Sequence, residues 1–234
     1  MNTFLERTIG ELVAERPSRS RVFEAHGIDY CCGGKRTLSD AASQAGLSPD
    51  LLAGLLLGLP PVALERDWRG ATVAELVEHI LREHHDFLKA NLPRLAKLSE
   101  KVRDVHGAHH PTVIEVARVF ALLHDDLEPH LRKEEEILFP AALSLEATGI
   151  ASLSCHAVAS LEGPILVMEH DHVQVGLLLE SLVELTDGFR PPADACNTWR
   201  ALYDGLQELD RNTRAHVHLE NEVLHARIRV LDRR

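Results

Sequence analysis

Two segments of the sequence share one skeleton. His130-Leu131-Arg132-Lys133-Glu134-Glu135-Glu136-Ile137-Leu138 and His216-Val217-His218-Leu219-Glu220-Asn221-Glu222-Val223-Leu224 both read H-x-x-x-E, then an acid two positions on, then an aliphatic pair. On a helix, residues four apart stand on one face, so each segment aims an imidazole and a carboxylate at one point. In a chain with 15 His and 36 Asp plus Glu, one such match is ordinary and usually a solvated pair. The upstream partners change its weight. His85 precedes His130 by 45 residues, and His172 precedes His216 by 44. The pattern His…His-x-x-x-Glu therefore occurs twice at nearly one spacing, as an internal duplication of a helix-pair unit would produce.

His85, His130, Glu134, His172, His216 and Glu220 make four imidazoles and two carboxylates. One tetrahedral zinc needs only four ligands and calcium prefers oxygen donors, so this set suits a pair of borderline divalent metals. Iron is the favoured metal and manganese the second. The two glutamates cancel half the charge of two ferrous ions, and a bridging hydroxide or oxide is a natural further neutraliser. So few carboxylates leave coordination positions for dioxygen or nitric oxide. Asp86 and Asp171, beside ligand positions, are candidates for hydrogen bonds to the ligands, with solvated helix residues as the equal alternative. His218 and His225 fall about 200° and 180° around a helix from His216, away from a bundle interior. His84 and His170 compete with His85 and His172 only if the register differs. His79 and His124 read as surface or supporting residues, and His106, His109 and His110 as mostly solvated.

A second chemical segment is Asp29-Tyr30-Cys31-Cys32-Gly33-Gly34-Lys35. Neighbouring cysteines do not easily bridge each other, so each thiol looks elsewhere. The paired glycines would permit positive φ and a close approach to a ligand or second protein, and Lys35 would lower a thiol pKa. The bland alternative is a buried thiol used as apolar filler beside a simple turn. Cys155 and Cys196 have no assigned role, and the four cysteines form no secreted disulfide framework.

The elements that must carry these residues are helical. The chain has 234 residues, 45% hydrophobic but only 4% aromatic, with Leu, Ala and Val prominent. Thr8 with Glu11 is a capping box for a short helix stopped by Pro17; further short helices are expected over 18–26, 39–45 and 50–57, with Gly27 ending the second. Residues 59–70 read as a linker. Thr72 with Glu75 caps a long helix to about Val105, bent at Pro93. A second runs from Thr112, kinks at Pro129 and is closed by Pro140. Residues 141–162 form a connection, a third helix runs from Pro164 to near Gly188, and a fourth from about Asp194 to near the end. The expected fold is all-α: an antiparallel four-helix bundle over 72–230 preceded by a small helical domain over 1–60. A formal charge of −11 argues against nucleic acid and anionic membranes. No apolar run spans a bilayer and no signal peptide opens the chain, which points to a soluble cytoplasmic protein.

On these motifs the chain resembles the iron-sulfur cluster repair family, regulators of cell morphogenesis and nitric oxide signalling with a hemerythrin-like domain. Tyr30-Cys31-Cys32-Gly33-Gly34-Lys35, Asp67-Trp68-Arg69 and His130-x-x-Lys133-Glu134-Glu135-x-Ile137-Leu138-Phe139-Pro140 carry the resemblance, over nearly the whole chain. It implies a non-haem di-iron centre on the six residues above. It also implies repair of clusters damaged by nitric oxide or peroxide, by iron donation or nitric oxide reduction, with damaged iron-sulfur proteins as clients. Cys31 and Cys32 would then be the redox or iron-transfer thiols. A reversible dioxygen or nitric oxide sensor and a structural metal remain alternatives, and a homodimer is compatible with the sequence. Two positions depart from the pattern. Leu224-His225-Ala226 stands where the second motif usually ends Leu-Phe-Pro, so the last helix should continue, and Asp171-His172-Val173 replaces Glu-His-Asp.

Overall fold

The structure, a computed structural model, describes residues 2–60, 66–153, 156–157 and 160–233. Part of the expected linker, 61–65, lies outside the described residues, as does Cys155. The chain divides into two compact units, Met1–Val77 with Arg214–Arg234, and Glu78–Thr213. These bounds differ from the sequence segments because the last stretch of chain groups with the N-terminal residues.

In the first unit, α1 (Asn2–Leu5), α2 (Ile9–Glu15), α3 (Ser20–Ala25), α4 (Leu38–Gln44) and α5 (Pro49–Leu57) are short. Each is too brief to be stable alone, so its stability comes from a shared core. Thr8 accepts from the Glu11 amide while the Glu11 side chain accepts from the Thr8 amide, the reciprocal cap the sequence predicts. Gly27, at φ 64°, ends α3 as expected. Ile9, Leu12, Phe23, Tyr30, Leu38, Leu52 and Leu56 are buried together, and Val217 from the far end of the sequence joins them. That one contact set explains the grouping of 214–234 with the N-terminal helices. The unit also holds α6 (Val73–Ile80) up to Val77, capped by Thr72 and Glu75 as predicted, and α12 (His225–Asp232), so the last helix does continue.

The second unit holds α7 (Asp86–His106), α8 (Thr112–Lys133), α9 (Phe139–Thr148), α10 (Glu162–Leu185) and the larger part of α11 (Asn197–His218). Leu88, Leu92 and Leu95 of α7 share one core with Val116, Phe120 and Leu123 of α8, Val175 and Leu179 of α10, and Leu202, Leu206 and Leu209 of α11. These recur at three- and four-residue steps, the stripe of a four-helix bundle. Burying each such side chain contributes about 1.5–3 kcal/mol, so the bundle is held by this interior. A hairpin of two-residue strands, Ser152–Leu153 against His156–Ala157, lies in the connection that the sequence left without structure.

Three stretches wind into wider π turns: Leu81–His85, Glu134–Leu138 and Leu219–Leu224. Each contains or ends on a predicted ligand, whereas α10, which carries His172, is uninterrupted over 24 residues. Such turns insert an extra residue and re-aim the side chains beside them, which is why they gather at functional positions. They also explain two differences from expectation. Pro140 does not close its helix: after the π turn it sits in the first turn of α9, where its missing amide hydrogen costs nothing. His225 is fully buried rather than turned outward, because a step of about 100° per residue no longer applies beyond Leu219.

Candidate metal centre and thiol loop

Within the bundle, four predicted ligands meet. His85, His130, Glu134 and His172 are all buried, His85 and Glu134 completely. His130 Nε2 lies 3.2 Å from Glu134 Oε1, and His85 Nε2 lies 3.3 Å from the other oxygen, Oε2. His172 Nε2 is 3.1 Å from His130 Nε2 and 3.9 Å from Glu134 Oε1. Two ligands at right angles on one ion, each bonded at about 2.1 Å, stand roughly 3.0 Å apart. The imidazole pair and the contacts of His130 and His85 with Glu134, at 3.1, 3.2 and 3.3 Å, are close to that spacing, while His172 stands farther from Glu134. Glu134 faces different histidines with its two oxygens, the arrangement of a carboxylate that can serve two ions. A carboxylate so buried is costly unless a positive charge meets it. The donor set and its spacing therefore suit a bound cation.

Each of two histidines is oriented from behind. His85 Nδ1 is 2.7 Å from Glu135 Oε1, and Lys89 Nζ lies 2.6 Å from that oxygen. His130 Nδ1 is 3.4 Å from Asp171 Oδ2, and Lys133 Nζ lies 2.8 Å from it. A carboxylate on Nδ1 keeps the ring proton there, so Nε2 presents its lone pair to the interior. The carboxylates stay ionised in this setting. Burial works to raise Glu135, but hydrogen bonds from Lys89 and His85 outweigh it and hold it below the ordinary range. Asp171 is held far below that range, first by its hydrogen bond with His130 and against partial burial, with Lys133 adding to the effect. Of the two aspartates singled out in the sequence, Asp171 faces a ligand while Asp86 is exposed. Glu135 was missed, although the motif contains it. Its signal was the lysine one helical turn beyond each histidine, Lys89 after His85 and Lys133 after His130.

In the other unit, His216 Nε2 and Glu220 Oε1 are 3.1 Å apart and buried, the same i,i+4 geometry as His130 with Glu134. The residues beside them serve the N-terminal helices. Val217 enters their core; His218 is buried with its ring edge-on to Tyr30, the centroids 5.5 Å apart. Thus His218, expected away from a bundle interior, is buried against Tyr30. Burial pushes its pKa down to about 4, with the Tyr30 backbone opposing. Asn221 Nδ2 donates to the Cys31 carbonyl at 3.2 Å.

The thiol loop is built around Asp29. Its Oδ1 accepts from the amides of Cys31 and Cys32 at 3.0 and 3.1 Å, and its Oδ2 from the Gly33 amide at 3.0 Å. The Cys31 thiol is also 3.0 Å from Asp29 Oδ1, and the two sulfurs are 3.8 Å apart. Cys31 is buried and Cys32 half-buried, and neither is in a disulfide. The paired glycines do not take positive φ. They are needed for closeness: a Cβ on Gly33 would come within 2.8 Å of the Asp29 carbonyl, and one on Gly34 within 2.9 Å of the Tyr30 carbonyl and closer still to the Glu222 carboxylate. Nor is Lys35 the cation that acts on Cys31. Cys31 is pushed well above the ordinary thiol range by its hydrogen bond with Cys32, then by burial and the Asp29 charge, and the cation that opposes this is Arg214. Asp29 is held down, against burial, by the Cys31 thiol, the two cysteine amides and Arg214.

Among the remaining histidines, His84 is buried with Nδ1 3.3 Å from Asn212 Oδ1, whereas His170 is exposed. His106 and His110 are less solvated than expected, since both rings lie 5.0 Å from that of Trp199. His106 Nε2 is also 3.2 Å from the Cys196 sulfur. Amides of Trp199 and Thr198 and this imidazole bring the Cys196 thiol down to about 7.

A helical bundle whose interior gathers histidines around a buried carboxylate defines a hemerythrin-like cation-binding protein, and residues 76–228 match the family model described as Hemerythrin HHE cation binding domain. Residues 5–57 match a model described as Domain of Unknown function (DUF542). The chain is 38% identical over 224 residues to the "Iron-sulfur cluster repair protein YtfE" of Cronobacter sakazakii, covering 96% of both chains. It is equally similar to the proteins of that name from an Enterobacter species, 38% over 224 residues, and from Escherichia coli O1:K1, 38% over 225, with 96% of this chain and 97% of each relative covered. The chain belongs to this YtfE iron-sulfur cluster repair family. No helix among the described residues is long and apolar enough to cross a membrane.

Proposed function

We propose that this protein repairs iron-sulfur clusters damaged by nitrosative or oxidative stress, with a non-haem di-iron centre held by His85, His130, Glu134, His172, His216 and Glu220. The observation that carries the reading is Glu134, buried and facing His85 with one oxygen and His130 with the other. His216 and Glu220 repeat the His130–Glu134 geometry, which supports their counting as ligands. Bound there, two ferrous ions would supply exchangeable iron and open coordination positions for nitric oxide or dioxygen. The chain's own contribution is orientation and charge. Glu135 and Asp171 hold the Nδ1 protons of His85 and His130, and Lys89 and Lys133 keep those carboxylates ionised. Damaged iron-sulfur proteins are the clients, and Cys31 and Cys32 are the thiols that receive or hand over iron.

Metal analysis with Mössbauer spectroscopy on anaerobically purified protein tests the centre: two coupled irons per chain are expected, and one mononuclear ion would overturn it. Iron transfer to an apo-cluster protein, or turnover of nitric oxide to nitrous oxide, supports repair. A stable, reversible nitric oxide or dioxygen adduct without turnover would make the protein a sensor instead, a reading that the open coordination positions also permit.

A further inference from the structure

The thiol loop brings three metal-binding donors together: one oxygen of Asp29 and the sulfurs of Cys31 and Cys32 lie within 4.8 Å of one another. Their arrangement is closer to a coordination sphere than to a chance cluster. Two thiolates bonded at about 2.3 Å to one tetrahedral ion stand roughly 3.8 Å apart. The two sulfurs here are 3.8 Å apart. A carboxylate oxygen on the same ion would stand about 3.5 Å from each sulfur. Asp29 Oδ1 is 3.0 Å from the Cys31 sulfur, shorter by the contraction that an S–H···O hydrogen bond brings. The loop is also fixed in advance. Asp29 accepts from three consecutive amides, and Asn221 and the crowded glycines pin the backbone on either side. Charge is provided for as well. Two thiolates and a carboxylate around a divalent ion leave one net negative charge, and the Arg214 guanidinium acts on both Asp29 and Cys31.

We propose that Asp29, Cys31 and Cys32 form a separate three-donor site for a thiophilic divalent cation, zinc or ferrous iron, whose fourth position opens on the half-buried Cys32 side. On binding, the ion takes the place of the two thiol protons, which pass to solvent, and no electron moves. The open position accepts a thiolate from a client, and exchange of that ligand for the site's own thiolates passes the ion across. This deepens the repair reading by giving iron a landing point outside the bundle, and in that respect rests on it. Binding of the ion rests on the loop geometry alone.

Cobalt(II) is the probe, added anaerobically to the full-length protein with its bundle metal in place. A sulfur-to-cobalt charge-transfer band with one ion bound and two protons released is expected, retained in a Cys155→Ser, Cys196→Ser background and lost in Cys32→Ser. Asp29→Asn should weaken binding at least about ten-fold, as loss of an anionic partner does at other metal sites. Absence of the band, its survival in Cys32→Ser, or unchanged affinity in Asp29→Asn overturns the site. Should Asp29→Asn fail to fold, wild-type alkylation decides: zinc is expected to protect Cys32 from iodoacetamide, and equal rates with and without zinc refute the proposal. A chain with two bundle irons and no sulfur band sinks this site only; a chain with the band and no bundle iron sinks the repair reading only.

Discussion

The two H-x-x-x-E segments place the same pair of side chains in the same geometry, His130 with Glu134 at 3.2 Å and His216 with Glu220 at 3.1 Å, yet their neighbours have opposite duties. Around the first, Glu135 reaches His85, and Lys133 reaches Asp171, the carboxylate behind His130. Around the second, Val217, His218 and Asn221 hold the N-terminal helices and the thiol loop. The duplicated His-x-x-x-Glu pair has thus kept its two residues, together with the acid at Glu136 and Glu222 and the leucine at Leu138 and Leu224, and has diverged at the three positions between them and at the one just after. On the proposed reading the first is a tuning copy, its neighbours lying behind bundle histidines, and the second a docking copy, its neighbours holding the thiol loop.

The largest effect should come from the ligand that faces both ways. Glu134→Ala removes an oxygen from His85 and another from His130 together, so iron affinity should fall by more than about 100-fold, beyond the loss typical of an outer partner. Chelator competition reads it. A variant that kept both irons would show that the two segments are not the equivalent ligand pairs on which the comparison rests.

The second segment should reveal itself through pH. His218 has its pKa pushed down to about 4 by burial, against 6.5 in an unfolded chain. Below pH 6.5 the unfolded state takes up a proton that the folded state refuses, so stability is complete above pH 6.5 and declines as pH falls toward 4. The slope is about 1.4 kcal/mol per pH unit and the total on the order of 3 kcal/mol. Urea unfolding of wild type and His218→Phe between pH 7 and 5 isolates it, before ordinary carboxylates titrate. Parallel curves for the two proteins would show that His218 does not stay unprotonated through burial against the N-terminal residues.

Next in size is the carboxylate behind His85. Glu135→Ala should lower metal affinity by about 10- to 100-fold by releasing the His85 ring. Asp171→Ala, behind His130 at a longer 3.4 Å, should cost less. The order of the two, read by the same competition, sharpens the claim that the first segment tunes the centre.

How much of this was legible follows from which periodicity applied. The bundle, and the meeting of His85, His130, Glu134 and His172 inside it, follow from a 3.6-residue repeat and a duplicated spacing, and Thr8 and Thr72 mark their helix starts through local chemistry alone. What was lost lay where the repeat broke or where distant chain met. The π turns at Glu134–Leu138 and Leu219–Leu224 have no signature in residue type, so Pro140 read as a stop, and the angle reckoned for His225 across the second turn did not foretell its complete burial. The burial of His218 depends on Tyr30, 188 positions earlier, which no local pattern reports. Gly33 and Gly34 were marked for positive φ and for close approach to a ligand or second protein; neither takes positive φ, and the close approach is to the loop's own Asp29 and Tyr30 carbonyls, which sequence alone does not separate from an outside partner.

The smallest expected effect is the cleanest separation of the two segments. Asn221 follows Glu220 as Glu135 follows Glu134, yet its amide donates to the Cys31 carbonyl rather than supporting a ligand. Asn221→Ala should therefore destabilise the N-terminal unit by about 1 kcal/mol, the worth of one hydrogen bond to a carbonyl, and leave bundle metal affinity unchanged. The sulfur-to-cobalt band of the thiol loop should broaden or weaken, because the backbone that sets the two sulfurs 3.8 Å apart loses one of its restraints. If Asn221→Ala instead lowered iron affinity as Glu135→Ala does, the positions after both glutamates would share one duty. The division between a tuning copy and a docking copy would then have to be abandoned.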